Sequence, residues 1–538
     1  MELPFKQERF LNTKYFFWLF LLWQAISVFL MAVGVWPLWV TWITIGVSAA
    51  FVVSASSYNA VLLLILSLPF YTGLPYLHQG SIASWRVLFI LAFLVWVSRY
   101  IYEQRGKSLR SFRRLLNPWD AYALALFGVM ALSGVMARFP AEALKQIIFL
   151  LNAYFIYLII AATVKTRGQV LEIIKYTTVS LSIIVGIGYI QLFLTFAMSQ
   201  VFFWQYWATH VSQLYYGIAL AHVLTYSNSW FSYTGGATEL RMFSIMPDSH
   251  SFAVVGVFLT GFLLALTALY LKGKKPDPND PIIKLPSKKS YVLWNAIRLT
   301  GLTIILSGTR GVWVGLLLPL IISAYAYFKG LAKPIMKKMI MACLLIIFFF
   351  ILSPVINGAL DYLRVSKFQE NFLDRARSIY DLNEDSNVGR LIIWKSSLRY
   401  AVLHPFGVGQ GNFVVSLVDN IPPHASFGQV AQQNNLRYNL PQKFVSAHSL
   451  YLHLLVELGI LGLVVFLAYW GSYFIAAYRF FKQNRHEDSV YTTFVVVLGF
   501  VFIWLLGYSI FDVTLFNDKI LIYSFISLAL TGAIIRLY

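Results

Sequence analysis

The sequence predicts an all-α polytopic membrane protein of about 12–14 transmembrane helices with one large extracytoplasmic loop domain. Three observations carry that expectation. Of 538 residues, 59% are hydrophobic and only 12% are charged, with a mean hydropathy of +0.69. A soluble chain of this length could not hide that much apolar surface. Apolar runs of about 20 residues, the length that crosses a hydrocarbon core, recur from end to end. Lys and Arg gather in alternate short loops, the bias that orients membrane helices.

The spans fall at about 15–33, 36–54, 58–75, 85–101, 119–137, 146–164, 176–198, 251–271, 291–308, 311–328, 338–356, 450–478, 490–511 and 518–536. The first follows Lys6, Arg9 and Lys14 and lacks a small-residue cleavage site, so it reads as a retained helix. One set of loops holds Arg99, Arg105, Lys107, Arg110, Arg113 and Arg114, then Lys165 and Arg167. The same set continues with the lysines of 272–289 and 329–338, and with Arg479, Lys482 and Arg485. These loops are expected to be cytoplasmic, as are both termini. The positive-inside rule therefore accounts for the net charge of +20 without a nucleic-acid partner. The 44 Phe, 32 Tyr and 16 Trp suit lipid-facing helices and interfacial rings. The single cysteine, Cys343, rules out an intramolecular disulfide framework and a multi-cysteine metal site.

The expected organisation is 1–198 for the N-terminal transmembrane helices and 199–356 for core helices with arginine motifs. An extracytoplasmic loop at 357–449 and C-terminal helices at 450–538 complete it. Two long segments, about 199–250 and 357–449, fall outside. In the second, 388–403 reads as an amphipathic helix with Ile392 and Leu398 among its apolar positions. Gly407 to Gly411 (GVGQG) reads as a turn, and 418–445 as mobile cover. No short-period repeat is visible.

The candidate chemistry starts at Thr309-Arg310-Gly311, a permanent charge between two apolar stretches. An Arg in lipid costs about 3 kcal/mol on the mildest insertion scale, so Arg310 either anchors at the surface or holds an anion. The topology brings four elements to the external face: Arg241 to Ser244 with Pro247, Asp248, Ser249 and His250; Thr309 to Gly311; Arg390 to Trp394 with His404 to Gly409; and Ala447 to Tyr451. Several arginines with few acids beside them make a polyanion site, because guanidinium forks match phosphate oxygens. At that depth the natural polyanion is a lipid-linked diphosphate. Asp248 could instead neutralise Arg241 structurally. His448 is the general-base candidate, with an ordinary pKa near 6.5; it could otherwise cap the next helix, although Ser449 is the commoner cap type. His404, before Pro405, fits a turn that stops a helix. No metal is expected: there is no Asp-x-Asp, no His-x-x-x-His and no cysteine cluster, and Asp248 with His250 makes only a weak pair. No phosphate-binding loop of the ATP type is present.

Taken in order, these motifs resemble the O-antigen ligase and O-antigen polymerase superfamily, whose shared region is called the Wzy-C domain. The resemblance covers roughly 240–470. Its pieces are Arg241 with Pro247, Ser307 to Gly311, Arg390-x-x-x-Trp394, His404-Pro405, Gly407 to Gly409, and His448 with Leu450, Leu454, Gly459 and Gly462. It implies a GT-C-like, cofactor-free and metal-independent inverting glycosyltransferase of the bacterial inner membrane. The donor would be an undecaprenyl-diphosphate-linked glycan, and the acceptor a glycan, a protein or a lipid A core, on the periplasmic face. Arg241 and Arg310, with Arg390, would bind the diphosphate, and His448 would activate the acceptor hydroxyl. Asp248, Trp394 and Ser449 would support them. Asp248 and Ser449 depart from the family, which often has Asn at both positions, and this bears on acceptor contacts. Ligase chemistry is the first reading and repeat-unit polymerisation the alternative. A flippase for lipid-linked sugars is the more distant one, disfavoured because the cations lie at one face and no two-fold sequence symmetry is visible.

Overall fold

A computed structural model describes residues 13–75, 82–103, 117–225, 230–234, 237–270, 288–362, 385–413, 446–485 and 489–538. The expected cover at 418–445 lies outside the described residues. Among the described residues, ten helices are long and apolar enough to cross a membrane. Four shorter apolar helices, Val40–Ser54, Ser57–Phe70, Asp120–Val135 and Tyr291–Leu306, stand where the remaining spans were expected. The chain is thus a helical polytopic membrane protein. Among the described residues its strands form one hairpin, β1 (Phe231–Thr234) with β2 (Ala237–Leu240), paired antiparallel.

The chain divides into two compact units. The first comprises Met1–Glu103 and Met198–Ser227. It holds α1 (Thr13–Ala32), α2 (Val40–Ser54), α3 (Ser57–Ser67) and α4 (Ser84–Glu103). The short helices of the 198–227 stretch close on them: Gly73 N–H donates to Leu214 O (2.9 Å) and Tyr206 Oη–H to Ala32 O (2.8 Å).

The second unit comprises Gln104–Ala197 and Asn228–Tyr538. Its helices are α5 (Asp120–Val135), α6 (Pro140–Thr163), α7 (Arg167–Ala197), α10 (Ser249–Leu266), α11 (Lys288–Leu306), α12 (Arg310–Gly315), α13 (Leu317–Phe328) and α14 (Lys333–Tyr362). They continue with α15 (Asp385–Leu403), α16 (Leu450–Asn484), α17 (Val490–Tyr508) and α18 (Asp518–Leu537), α8 (Gln200–Tyr206) and α9 (Gln213–Thr225) being the short helices of the first unit. The centre is α10, 94% of whose spanning window is buried, packed on α7, α11 and α17. Small residues permit that approach: a Cβ on Gly256 would meet Ile304, and one on Gly261 would meet Val501.

Helix α16 is broken. Its 35 residues would run about 52 Å if straight, whereas the 19 residues of neighbouring α17 run about 28 Å. The two are tied at one end, where Leu450 N–H donates to Ser509 O (2.8 Å) and Tyr451 Oη–H to Leu506 O (2.8 Å). The helix is interrupted at Gly459, whose backbone (φ 68°, ψ −172°) is outside the helical range.

A break at membrane depth releases backbone groups that lipid cannot satisfy. The loop after α15 satisfies them. Ile460 N–H donates to Pro405 O (3.0 Å), Val408 N–H to Val456 O (3.0 Å) and Gly409 N–H to Glu457 O (2.9 Å). Glu457 Oε1 accepts from Gly411 N–H (2.9 Å) and Phe413 N–H (3.2 Å), with His453 Nε2 at 3.3 Å. Asn412 exchanges both amide hydrogen bonds with the Phe139 backbone between α5 and α6 (2.9 and 3.3 Å). The glycines are needed here: a Cβ on Gly407 would collide with the Glu457 carbonyl, and one on Gly459 with that of Pro405.

Helix α15 lies where an amphipathic helix was expected, but it is apolar on two faces. Ile392, Ile393 and Tyr400 pack on Val408, Phe413, Ala447 and Val456, while Leu391, Leu398 and Val402 are exposed.

Gly459→Ala is expected to destabilise the purified protein by at least about 2 kcal/mol, the size of an incompatible-backbone substitution. Gly471→Ala, where a Cβ meets nothing, should leave the thermal transition unchanged. Equal transitions for both, measured in one detergent, would contradict the docked break.

Candidate functional site

The first segment of the site runs from Arg241 to His250. Helix α11 ends at Leu306 and leaves carbonyls without helical partners. The buried Arg241 guanidinium covers them: Nε–H donates to Ser307 O (3.2 Å), and Nη2–H to Gly308 O (3.2 Å) and Thr309 Oγ1 (3.4 Å). This places a cation at a helix C-terminus, where the dipole favours it. Burial pulls the Arg241 pKa down to about 10, and the positive charges of Arg310 and Arg390 act in the same direction. It stays protonated near neutral pH.

Asp248 caps α10, its Oδ1 accepting from Ser251 N–H (2.6 Å). Burial raises this carboxyl to about 6, and the charge of Asp512 adds to the rise. Its principal contact is thus the helix start, while its charge still reaches Arg241. Two residues on, His250 Nδ1 lies 3.1 Å from Tyr508 Oη and 3.2 Å from Asp512 Oδ2.

Arg310 opens α12 and is half-buried. The hairpin before it is tied down by Thr309 Oγ1–H donating to Ser249 O (3.3 Å). Gly311 lets this turn sit on the end of α17: a Cβ there would come within 2.8 Å of the Tyr508 ring and 3.3 Å of Phe511 Cβ. Trp504 Nε1–H then donates to Val312 O (2.8 Å).

His448 occupies the left-handed region (φ 47°), which is uncommon for a residue with a side chain. The turn is over-determined on both sides. Trp394 Nε1–H donates to Ala447 O (3.0 Å), His448 N–H donates to Ser446 Oγ (3.2 Å), and Leu450 N–H bonds Ser509 O. Strained backbone held by its surroundings is a mark of functional sites. Ser449 takes the N-cap position of α16, but its hydroxyl makes no capping bond. Burial lowers the His448 pKa; Arg390 lowers it further and Asp512 opposes. The imidazole is therefore neutral, and able to accept a proton, at pH 7.

Arg390 and Trp394 both lie on α15, so the bond from Trp394 fixes Arg390 relative to His448. The charge of Arg390 acts on both Arg241 and His448. The residues singled out in the sequence thus converge: Arg241, Asp248, Arg310, Arg390, Trp394, His448 and Ser449.

Asp512 and Tyr508 were missed. Tyr508 Oη–H donates to Asp512 Oδ2 (2.7 Å), and Val513 N–H donates to Oδ1 (2.7 Å). Burial alone would raise Asp512, but the charges of His250 and His448 and these two donors hold it below the usual carboxylate range. The signal available in the sequence was a lone acid at the end of a span, in a loop free of Lys and Arg up to Asp518. Among the described residues, no group of three or more His, Cys, Asp or Glu is placed to hold a metal ion.

Fold and site together define a polytopic membrane protein with a cluster of arginines, histidines and two aspartates at the ends of α10, α11, α16 and α17. Residues 296–467 match the family model Wzy_C, described as O-antigen ligase, a match consistent with the O-antigen ligase and polymerase superfamily. Arg310, Arg390, Trp394, His448 and Ser449 fall inside the match; Arg241, Asp248, His250 and Asp512 fall outside it. No curated protein matches the chain.

Removing a negative charge beside an imidazole lowers its pKa further. Carbethoxylation of His448, which needs the neutral ring, should have its midpoint below the ordinary value of about 6.5. Asp512→Asn should move that midpoint lower still. A midpoint at or above the ordinary value, read by peptide mass spectrometry across a pH series, would refute the electrostatic assignment.

Proposed function

We propose that this protein is a membrane glycosyltransferase of the O-antigen ligase type, working on the periplasmic face of a bacterial inner membrane. It moves a glycan from an undecaprenyl-diphosphate carrier to a hydroxyl of an envelope acceptor. The observation that carries the reading is the gathering of three arginines within electrostatic reach of one another and of a neutral histidine held in a strained turn.

In this reading Arg310 and Arg390 grip the diphosphate, and Arg241 adds a fixed positive charge from the helix end it caps. His448 accepts the proton of the acceptor hydroxyl as its oxygen forms the new bond at the anomeric carbon. The bond from that carbon to the phosphate oxygen breaks, and the electron pair leaves with undecaprenyl diphosphate. Displacement from the opposite face inverts the anomeric centre. The arginines neutralise the departing charge, the role a divalent ion fills elsewhere. Asp512 raises the proton affinity of His448 and so assists its uptake of the proton. Asp248, Ser449 and Trp394 hold the segments in place.

The test is a liposome assay with the lipid-linked donor and separate acceptor classes, following both product and released lipid diphosphate. His448→Ala should lower kcat by about 10²–10⁴-fold while donor affinity stays within about twofold. Arg310→Lys should cost about tenfold or more in kcat/KM, since a point charge does not reproduce a bidentate fork. Activity should survive excess EDTA and fall on the acid side below the ordinary imidazole value. Chain growth without a core-type acceptor would favour a polymerase. Full activity of both variants would remove the proposed chemistry.

A further inference from the structure

The outward face of α15 is apolar and cationic at once. Val388, Leu391, Lys395, Leu398, Arg399 and Val402 recur at helical spacing, and all are exposed. Exposure increases toward the C-terminal end: Leu398 is 51% exposed, Val402 80%, Leu403 64% and Phe406, just beyond the helix, 72%. From Val388 to Leu403 the chain has three basic residues and no Asp or Glu.

This surface continues into a membrane-spanning one. The bond from Ile460 N–H to Pro405 O sets Phe406 beside the break in α16. Below the break, Ile460, Leu461 and Val464 are each at least half exposed on a span apolar enough to face lipid. Among the described residues, the exposed apolar side chains thus run from α15 through Phe406 toward a helix apolar enough to cross a membrane. Apolar side chains interleaved with Lys and Arg are the pattern of a helix lying in a bilayer interface, where the bases meet anionic headgroups.

We infer that α15 and Phe406 lie in the leaflet on the His448 side, with Leu398, Val402, Leu403 and Phe406 among the acyl chains and Lys395 and Arg399 on anionic headgroups. The part of the long loop that carries Arg390 is then a membrane-interface element, and the site borders the bilayer from which a lipid substrate would come.

Spin labels test this without any assay of activity. The only cysteine, buried Cys343, is replaced by Ala, and single cysteines are placed at Val402 and Phe406. Ile460→Cys serves as the lipid-facing reference and Gln483→Cys as the aqueous one. Collision rates with oxygen and with a water-soluble nickel chelate are read in nanodiscs of mixed phosphatidylglycerol and phosphatidylcholine. The oxygen-to-nickel ratio at 402 and 406 should fall within about twofold of the Ile460 site and several-fold above Gln483. A ratio like that of Gln483 would overturn the inference. So would exclusion of both reagents, the signature of a second copy or another chain segment covering the face. In Lys395→Glu/Arg399→Glu, the ratio should drop in anionic but not in purely zwitterionic nanodiscs; an unchanged ratio in anionic lipid would remove the headgroup contact.

Discussion

The break in α16 is the constraint on which the rest of the second unit depends. A helix interrupted at Gly459 exposes amide groups that no lipid can satisfy. The structure answers with a loop made almost entirely of backbone: Pro405 O, Val408 N–H and Gly409 N–H pair directly with the strand of chain around the break. Glu457 completes it by gathering two further loop amides on one carboxylate oxygen. A buried carboxylate is costly unless hydrogen-bonded, so Glu457 and the loop require each other. The positive-φ glycines 407, 409 and 411 follow from this geometry: a Cβ on Gly407 would strike the broken helix at Glu457, one on Gly409 would strike Ala137 at the end of α5, and one on Gly411 would strike Gln146 on α6.

That lock has consequences for the site a few residues away. With α16 interrupted at Gly459, its first turn meets the end of α17, and Leu450 bonds Ser509. The same loop anchors the end of α15, so Trp394 reaches Ala447 and holds the left-handed His448 from the other side. Gly311 and Arg241 do the equivalent for the α11–α12 hairpin. The catalytic candidates sit on chain ends, but each end is held by bonds to a neighbouring helix, which is how a loop-borne site acquires the precision of its scaffold.

Sequence reasoning captured the helices well because spans announce themselves by length and hydropathy, and neither depends on tertiary contacts. It also singled out Arg310 and His448, since a charge or a histidine at the edge of an apolar run needs an explanation. It could not see that Arg241 spends much of its fork on carbonyls of another helix. The two-sided apolar character of α15 was read as a single stripe, because periodicity alone does not show which side has a protein partner and Leu398 was placed with Ile392. Asp512 escaped for a different reason. It is ordinary in its own loop and becomes significant only because α10 and α17 pack side by side and bring His250 to it.

The distribution of charge explains why the site can be both stable and receptive. Asp248 and Asp512 do not line up against the arginines as simple counter-ions. Asp248 serves a helix start, and its burial holds it near 6, so it brings less than a full negative charge at mildly acid pH. Asp512 is kept ionised by the histidine side of the site. The Asp512 charge therefore falls next to His250 and His448, and it opposes the lowering of the His448 pKa by burial and by Arg390. In the proposed reading a dianionic group is attracted by the arginines, while Asp512 offsets part of the fall in the His448 pKa that burial causes. Bringing Asp512 next to Arg310 instead would cancel both effects at once. If the site works as proposed, anion binding falls to the arginines and proton acceptance to the histidine beside Asp512, the division that a transfer from a diphosphate carrier to a hydroxyl requires.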